Sequence, residues 1–90
     1  MARIQVTHES GDDYRVEVED ERGTSSHRVT VTDAHLRTYG AGGEAEALLE
    51  ESFRFLLERE PKESILSSFD LPVIERYFPE FPEEIRDRMS

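Results

Sequence analysis

The three histidines are the residues of this chain with the most direct metal-binding or acid–base chemistry. His8, His27 and His35 lie on three separate segments. Imidazole nitrogens bind divalent metals when several of them converge with carboxylates. By strand alternation, His8 shares a face with positions 4 and 6, and His27 shares one with positions 29 and 31. No two histidines stand at i,i+4 or in an H-x-E spacing. The pattern therefore favours histidines in polar contacts at the ends of a sheet over a metal site.

Pairs of adjacent carboxylates are the second candidate for chemistry. General acid–base catalysis needs one carboxyl group in an apolar pocket that raises its pKa. Every pair here stands in a predicted turn or on a charged helix face, which indicates a solvated surface. Asp12-Asp13 also lacks the spacing of a calcium-binding loop. The pairs are Asp12-Asp13, Asp20-Glu21, Glu50-Glu51 and Glu83-Glu84.

Nucleophiles and phosphate-binding loops have no recognisable context in this sequence. The chain has no cysteine. No serine occupies a G-x-S-x-G elbow, and none is expected to act with a histidine. The segment Gly40-Ala41-Gly42-Gly43 precedes a helix, but it lacks the lysine and hydroxyl residue of a P-loop. Glu44 and Glu46 follow and would repel phosphate, so the segment is interpreted as a linker. We predict no catalytic, metal-ligating or cofactor-binding residue and no cofactor.

A cluster of aromatic residues near the C-terminus could form a contact surface for another protein. Its members are Phe69, Tyr77, Phe78 and Phe81. Aromatic side chains at helical spacing usually belong to a core, and an exposed patch of them marks an interface. Both interpretations stay open from the sequence.

The elements that position these residues begin with a β-rich N-terminal part, residues 1–32. Alternating apolar residues predict strands over 3–8, 14–20 and 27–32, separated by turn clusters. Short connections favour an antiparallel meander, and Gly23 suits a turn that needs positive φ. Residues 33–40 predict a short helical turn with Thr32 as N-cap. We expect Gly40 to end that turn in the left-handed conformation.

The main helix is predicted over residues 44–60. Its apolar arc covers roughly 200°, which is wider than contact with one sheet requires. We therefore expect one flank to touch the sheet and the other to touch the C-terminal segment, with a partner subunit as the alternative. All four prolines lie in residues 61–82, so residues 61–89 are predicted to form short helices, including helical turns over 64–69. The predicted fold is α+β: a three-stranded antiparallel meander packed on one main helix, followed by short Pro-delimited C-terminal helices.

Composition narrows the classes of function further. The chain has 90 residues and a formal net charge of −10, which predicts a single domain that neither binds nucleic acid directly nor docks on an anionic membrane. No apolar run approaches the roughly 20 residues of a membrane span, and the N-terminus lacks the pattern of a signal peptide. A cytoplasmic location is expected. Arginine exceeds lysine ten to one, and the acidity fits either a high-salt cytoplasm or a GC-rich genome.

A resemblance rests on five stretches of the sequence: Ser52 to Pro61, Ser64-Ile65-Leu66, Phe69-Asp70-Leu71, Val73-Ile74 and Arg76-Tyr77-Phe78-Pro79. These residues resemble the end of a group of short, uncharacterised bacterial proteins, in which a β-rich start precedes a phenylalanine-rich helix and an Arg-Tyr-Phe-Pro ending. The resemblance covers about residues 44–82 and implies no catalytic residue. The order β-β-β-α is also loosely similar to the antidote half of HicAB-type toxin–antitoxin pairs.

Three functions follow as hypotheses. The favoured one is a non-catalytic protein-binding or regulatory module, acting on a protein partner or through self-association. The alternatives are an acidic antidote that masks a basic nucleic-acid-binding protein or toxin, and a metal-binding protein or enzyme.

Overall fold

The N-terminal part of the chain forms the predicted antiparallel meander. The computed structural model describes residues 2–90, so residue 1 of the predicted meander lies outside the described part. Each strand is eight residues long and pairs with its neighbour in sequence; the strands are β1 (Arg3–Ser10), β2 (Asp13–Asp20) and β3 (Gly23–Thr30). β2 and β3 are joined by a two-residue turn, and Gly23 has a φ of 127°, as the turn chemistry predicts. Alternation predicted three antiparallel strands, but it placed the third over 27–32. β3 begins four residues earlier and ends at Thr30, because the turn before it takes only residues 21–22.

One face of the meander carries its apolar residues. The pairing aligns Val6 with Val16 and Val16 with His27, so His27 lies in the middle of a strand and points toward the core. The expectation of His27 at a sheet end is therefore wrong. The opposite face is polar and exposes Arg15, Arg28 and their neighbours to solvent. The sheet thus has one face available for packing against helices.

A short helix, α1 (Asp33–Tyr39), follows the meander. Thr32 caps it as predicted, because its hydroxyl accepts the N–H of His35 at 3.1 Å, and His35 Nδ1 accepts the N–H of Thr32 at 3.1 Å. The expected left-handed Gly40 is wrong. Gly40 has a helical φ of −85° and donates its N–H to Leu36 at 2.8 Å. A Cβ at Gly40 would lie 2.5 Å from the Leu36 oxygen, so glycine is needed here for space.

The main helix, α2 (Ala45–Leu57), lies between the sheet and the C-terminal segment, as the width of its apolar arc predicts. On the sheet side, the ring of Phe53 lies 5.3 Å from the ring of His27. On the other side, the ring of Phe55 lies 5.2 Å from that of Phe81. Neither phenylalanine has exposed surface. The two flanks of one helix therefore join two layers.

The C-terminal segment corrects the prediction of short helices over 61–89. A 3₁₀ turn spans Lys62–Ser64, but Ser68–Asp70 form a fourth strand, β4, parallel to β3. The observed sheet is mixed, with the order β1-β2-β3-β4. Pairing with β3 outweighs local helical preference because it satisfies the open edge of β3 and places Phe69 at 6.2 Å from Phe53.

Two helices follow β4, as the proline spacing predicts. They are α3 (Val73–Tyr77), which Pro72 precedes, and α4 (Phe81–Met89), with Pro82 in its first turn. Phe81 and Ile85 of α4 are fully buried. The C-terminal segment is thus an integral layer of the α+β fold. Along residues 2–90, every helix falls short of the length and apolar character needed to cross a bilayer.

Candidate functional site

An apolar groove lies where α2 ends and α3 begins. It encloses about 200 Å³, and we call it the α3 groove. Its lining residues come from the end of α2, the segment 60–66, β4 and α3: Leu56, Glu60, Ser64, Ile65, Leu66, Phe69, Val73, Ile74, Tyr77 and Phe78. Leu66 and Tyr77 are the large apolar side chains of the described chain that remain exposed, at 45% and 65%. Both lie in this groove, so the exposed apolar surface is concentrated at one place.

The aromatic cluster predicted from the sequence divides between the groove and the core. Phe69, Tyr77 and Phe78 line the groove. Phe81 has no exposed surface, and its ring lies 5.4 Å from that of Tyr39. Phe81 is therefore a core residue, which is one of the two possibilities that the sequence left open, and it cannot be part of a contact surface.

Leu66 is the exposed apolar groove residue that the sequence analysis missed, and Glu60 in the same lining was not predicted either. Leu66 follows Ile65 directly, and neighbouring residues of an extended segment point to opposite sides. Ile65 is buried and Leu66 is exposed. The adjacent apolar pair was the available signal, but it was interpreted as part of a helical turn.

Helix α3 forms one wall of the groove. Pro72, with a φ of −62°, is already in helical conformation and begins the turn. Val73 and Tyr77 are four residues apart, so they lie on one face. The N–H of Phe78 still donates to Ile74 at 2.9 Å, and Pro79 then prevents the helix from continuing. The sequence thereby fixes a short helix that presents a tyrosine beside a half-buried phenylalanine.

A buried histidine anchors the opposite wall. His27 is 3% exposed, and its Nδ1 lies 2.8 Å from the carbonyl oxygen of Leu66. A carbonyl oxygen can only accept, so Nδ1 carries the proton and donates. The other ring nitrogen, Nε2, lies 2.8 Å from the hydroxyl oxygen of Ser25. Through these two contacts, His27 holds the backbone of the groove wall at Leu66 against β3.

The Ser25–His27 pair was also missed, although the two residues are separated by one position on a strand and so share a face. A hydroxyl within hydrogen-bond reach of an imidazole is the arrangement that activates a serine nucleophile. Neither side chain lines the α3 groove. The His27 ring is 3% exposed, and its two contacts connect Ser25 of β3 to the backbone of Leu66.

Lys62, the single lysine of the chain, anchors the start of the same segment. Its side chain is 2% exposed, and Nζ donates to Asp20 at 2.7 Å and also to Glu63. The hydrogen bond to Asp20 is the main cause, and that to Glu63 the second, of a raised pKa for the Lys62 ammonium group. The same hydrogen bonds lower the pKa values of the Asp20 and Glu63 carboxyl groups. The tie to Asp20 connects the segment to the end of β2.

β4, which contributes Phe69 to the groove, is an edge strand of the sheet. The carbonyl oxygen of Ser67 accepts the N–H of Arg28 at 2.8 Å, and the N–H of Leu71 donates to Thr30 at 3.1 Å. Backbone groups of an extended strand alternate in direction, so those of Phe69 also face β3. The N–H and C=O groups of the residues on either side of Phe69 consequently point away from the sheet.

Glu60 is the charged residue of the groove lining. Its side chain is half-buried, and burial raises the pKa of its carboxyl group. Among residues 2–90, no cationic side chain forms an ion pair with it. The groove is therefore apolar along its walls and acidic at one point.

The other histidines have local roles. His8 stacks on Tyr14 with ring centroids 4.6 Å apart, and its Nε2 lies 2.7 Å from the Gly11 oxygen. His35 completes the cap of α1. Within residues 2–90, no three histidine or carboxylate side chains gather in a metal-binding arrangement.

Comparison of the chain with protein-family models, with curated proteins and with solved structures gives no match.

Proposed function

We propose that this protein is a non-catalytic binding module that holds an extended segment of a partner protein in the α3 groove, beside the open edge of β4. The observation that carries the proposal is the coincidence of two features. The exposed Leu66 and Tyr77 line a groove to which β4, the edge strand of the sheet, contributes Phe69.

The size of the groove supports a peptide segment as its ligand. Pockets for drug-sized molecules typically enclose about 300–1,000 Å³. The α3 groove encloses about 200 Å³, which suits one or two apolar side chains of a longer chain. An extended peptide can add to a sheet edge through main-chain hydrogen bonds and place alternate side chains in a neighbouring pocket.

The anchoring of the groove walls supports recognition with little rearrangement. His27 fixes the carbonyl of Leu66, and Lys62 fixes the start of that wall to β2. On the other side, Ile74 is 3% exposed and attaches α3 to the core. A groove held in place before binding loses less conformational entropy when a peptide enters it.

Selection from a random heptapeptide library tests this proposal. The wild-type protein is the bait, and a Leu66→Ser/Tyr77→Ser variant is used for counter-selection. Both side chains are exposed, so we expect these changes to leave the fold intact. Arg76→Ser is the matched control, because Arg76 is exposed on the same helix and lies outside the groove lining.

We expect enriched peptides to bind the double variant at least about 10-fold more weakly than wild type, as truncation of two apolar anchors predicts. The Arg76→Ser protein should bind like wild type. Enrichment of the same sequences on the double variant, or of none on wild type, would contradict the proposal.

A further inference from the structure

Glu60 stands apart from the acidic residues around it. The Glu58 carboxylate lies 2.7 Å from the Arg88 guanidinium, and the Glu80 carboxylate lies 3.1 Å from that of Arg59. The hydrogen bond from Arg88 lowers the pKa of Glu58. The pKa of Glu80 is lowered by a hydrogen bond from the Glu80 backbone and by one from Arg59. Glu60, in contrast, is half-buried without a cationic partner among residues 2–90.

The cations closest in sequence are already engaged. Arg59 donates to both Glu80 and Glu84 at 3.1 Å, and its guanidinium lies 3.6 Å above the Phe55 ring. The ammonium of Lys62 is shared between Asp20 and Glu63. A carboxylate that loses solvent in an apolar groove is costly unless a positive charge accompanies it.

We infer that the segment held in the α3 groove carries a basic side chain, arginine or lysine, that pairs with Glu60. This inference rests on the function proposed above and specifies the chemistry of the partner. The partial burial of Glu60 beside the apolar lining strengthens a charge-assisted hydrogen bond at this position. The net charge of −10 favours encounter with a basic segment as well.

Paired peptide sets test the inference. Fluorescein-labelled heptapeptides alternate leucine and threonine and carry one arginine, placed at each position in turn. A second set replaces arginine by citrulline, which has a similar shape without the charge. Affinities are measured by fluorescence anisotropy for wild type, for Glu60→Gln, and for Glu46→Gln. Glu46 is an exposed acid on the first turn of α2, outside the groove lining, so its substitution makes the same change in net charge.

We expect the best arginine peptide to bind wild type roughly 10- to 100-fold more tightly than its citrulline counterpart, as a hydrogen bond between charged groups predicts. Glu60→Gln should remove that difference, and Glu46→Gln should retain it. Equal binding of the two sets to wild type overturns the inference and leaves the binding module standing. An equal loss of the difference in both variants also overturns it, because net charge would then be responsible. If no peptide of either set binds and the library selection enriches none, both proposals fail.

Discussion

Replacement of Phe55 by alanine is the sharpest test of how the helical layer is built. Phe55 has no exposed surface and is enclosed by the rings of Phe78 and Phe81, at 5.9 and 5.2 Å, and by the Arg59 guanidinium, at 3.6 Å. Truncation of a buried phenylalanine costs about 3–5 kcal/mol through lost transfer free energy and the cavity left behind. A domain of this length has a free energy of unfolding of about 5–13 kcal/mol. Phe55→Ala should therefore remove about a quarter of the stability or more.

Urea unfolding followed by circular dichroism measures this loss. With an m-value of about 1.5 kcal/mol/M, the midpoint should fall by about 2–3 M. Arg54→Ala is the control, because Arg54 is exposed on the same helix and forms an ion pair with Glu50 at 2.8 Å. That pair contributes about 0.3–0.5 kcal/mol. If the two variants unfold at the same midpoint, Phe55 is not enclosed by the C-terminal segment, and the described packing is wrong.

Four further predictions follow from single contacts. Lys62 should react with an amine-directed reagent slowly in the native protein and rapidly in urea, since its side chain is 2% exposed; equal rates would contradict its burial. His27→Val should lower the free energy of unfolding by about 1–3 kcal/mol, because the partly buried hydrogen bond from His27 to the Leu66 carbonyl is lost. A midpoint equal to wild type would contradict the anchor. Burial is the larger cause, and the hydrogen bond to Glu75 the second, that raises the pKa of Tyr39 to about 12. The contribution of Tyr39 to the free energy of unfolding should therefore be complete below pH 10 and lost as the pH rises through 12. Ultraviolet titration should show this step and Tyr39→Phe should lack it; persistence of the step in that variant would refute the assignment. The hydrogen bond from Arg88 holds the pKa of Glu58 below its ordinary value of 4.5. Glu58 therefore contributes to the free energy of unfolding above pH 4.5, and this contribution is lost as the pH falls through the folded pKa. The free energy of unfolding of Glu58→Gln should fall less steeply with acid than that of wild type, and an equally steep fall would contradict the ion pair.

Local patterns were sufficient for the antiparallel order of the meander, though not for the bounds of β3, and for the cap of α1 and the two-sided helix α2. Val16 and Val18 alternate with charged residues, and Phe53 and Phe55 stand on opposite flanks of a helical arc. Each of these signals lies within a few residues, where periodicity specifies which face is buried.

Strand β4 could not be predicted in this way. Its pairing joins residues 68–70 to residues 28–30, about 40 positions earlier in the chain. Nothing in Ser68-Phe69-Asp70 by itself distinguishes a strand from a turn, because the decisive interaction is with a distant edge. The groove was only partly predicted for the same reason. Tyr77 and Phe78 were recognised as aromatic residues at helical spacing, but the exposure of Leu66 depends on the extended path that leads into β4.

Several sequence-based expectations concern properties that the fold does not address. The cytoplasmic location, the resemblance to short bacterial proteins and the acidic antidote hypothesis stay predictions. The structure does show how part of the acidity is neutralised, since Glu58, Glu80 and Glu84 pair with Arg59 and Arg88.

The most direct test of the central claim is amide NMR of the labelled protein titrated with a peptide enriched on wild type. Strand addition predicts shift changes concentrated in residues 64–78, and it predicts that the outward-facing amides of Ser68 and Asp70 become protected from hydrogen exchange. Shift changes confined to the polar outer face of the sheet or to α1, with those two amides still exchanging freely, would contradict the proposed site.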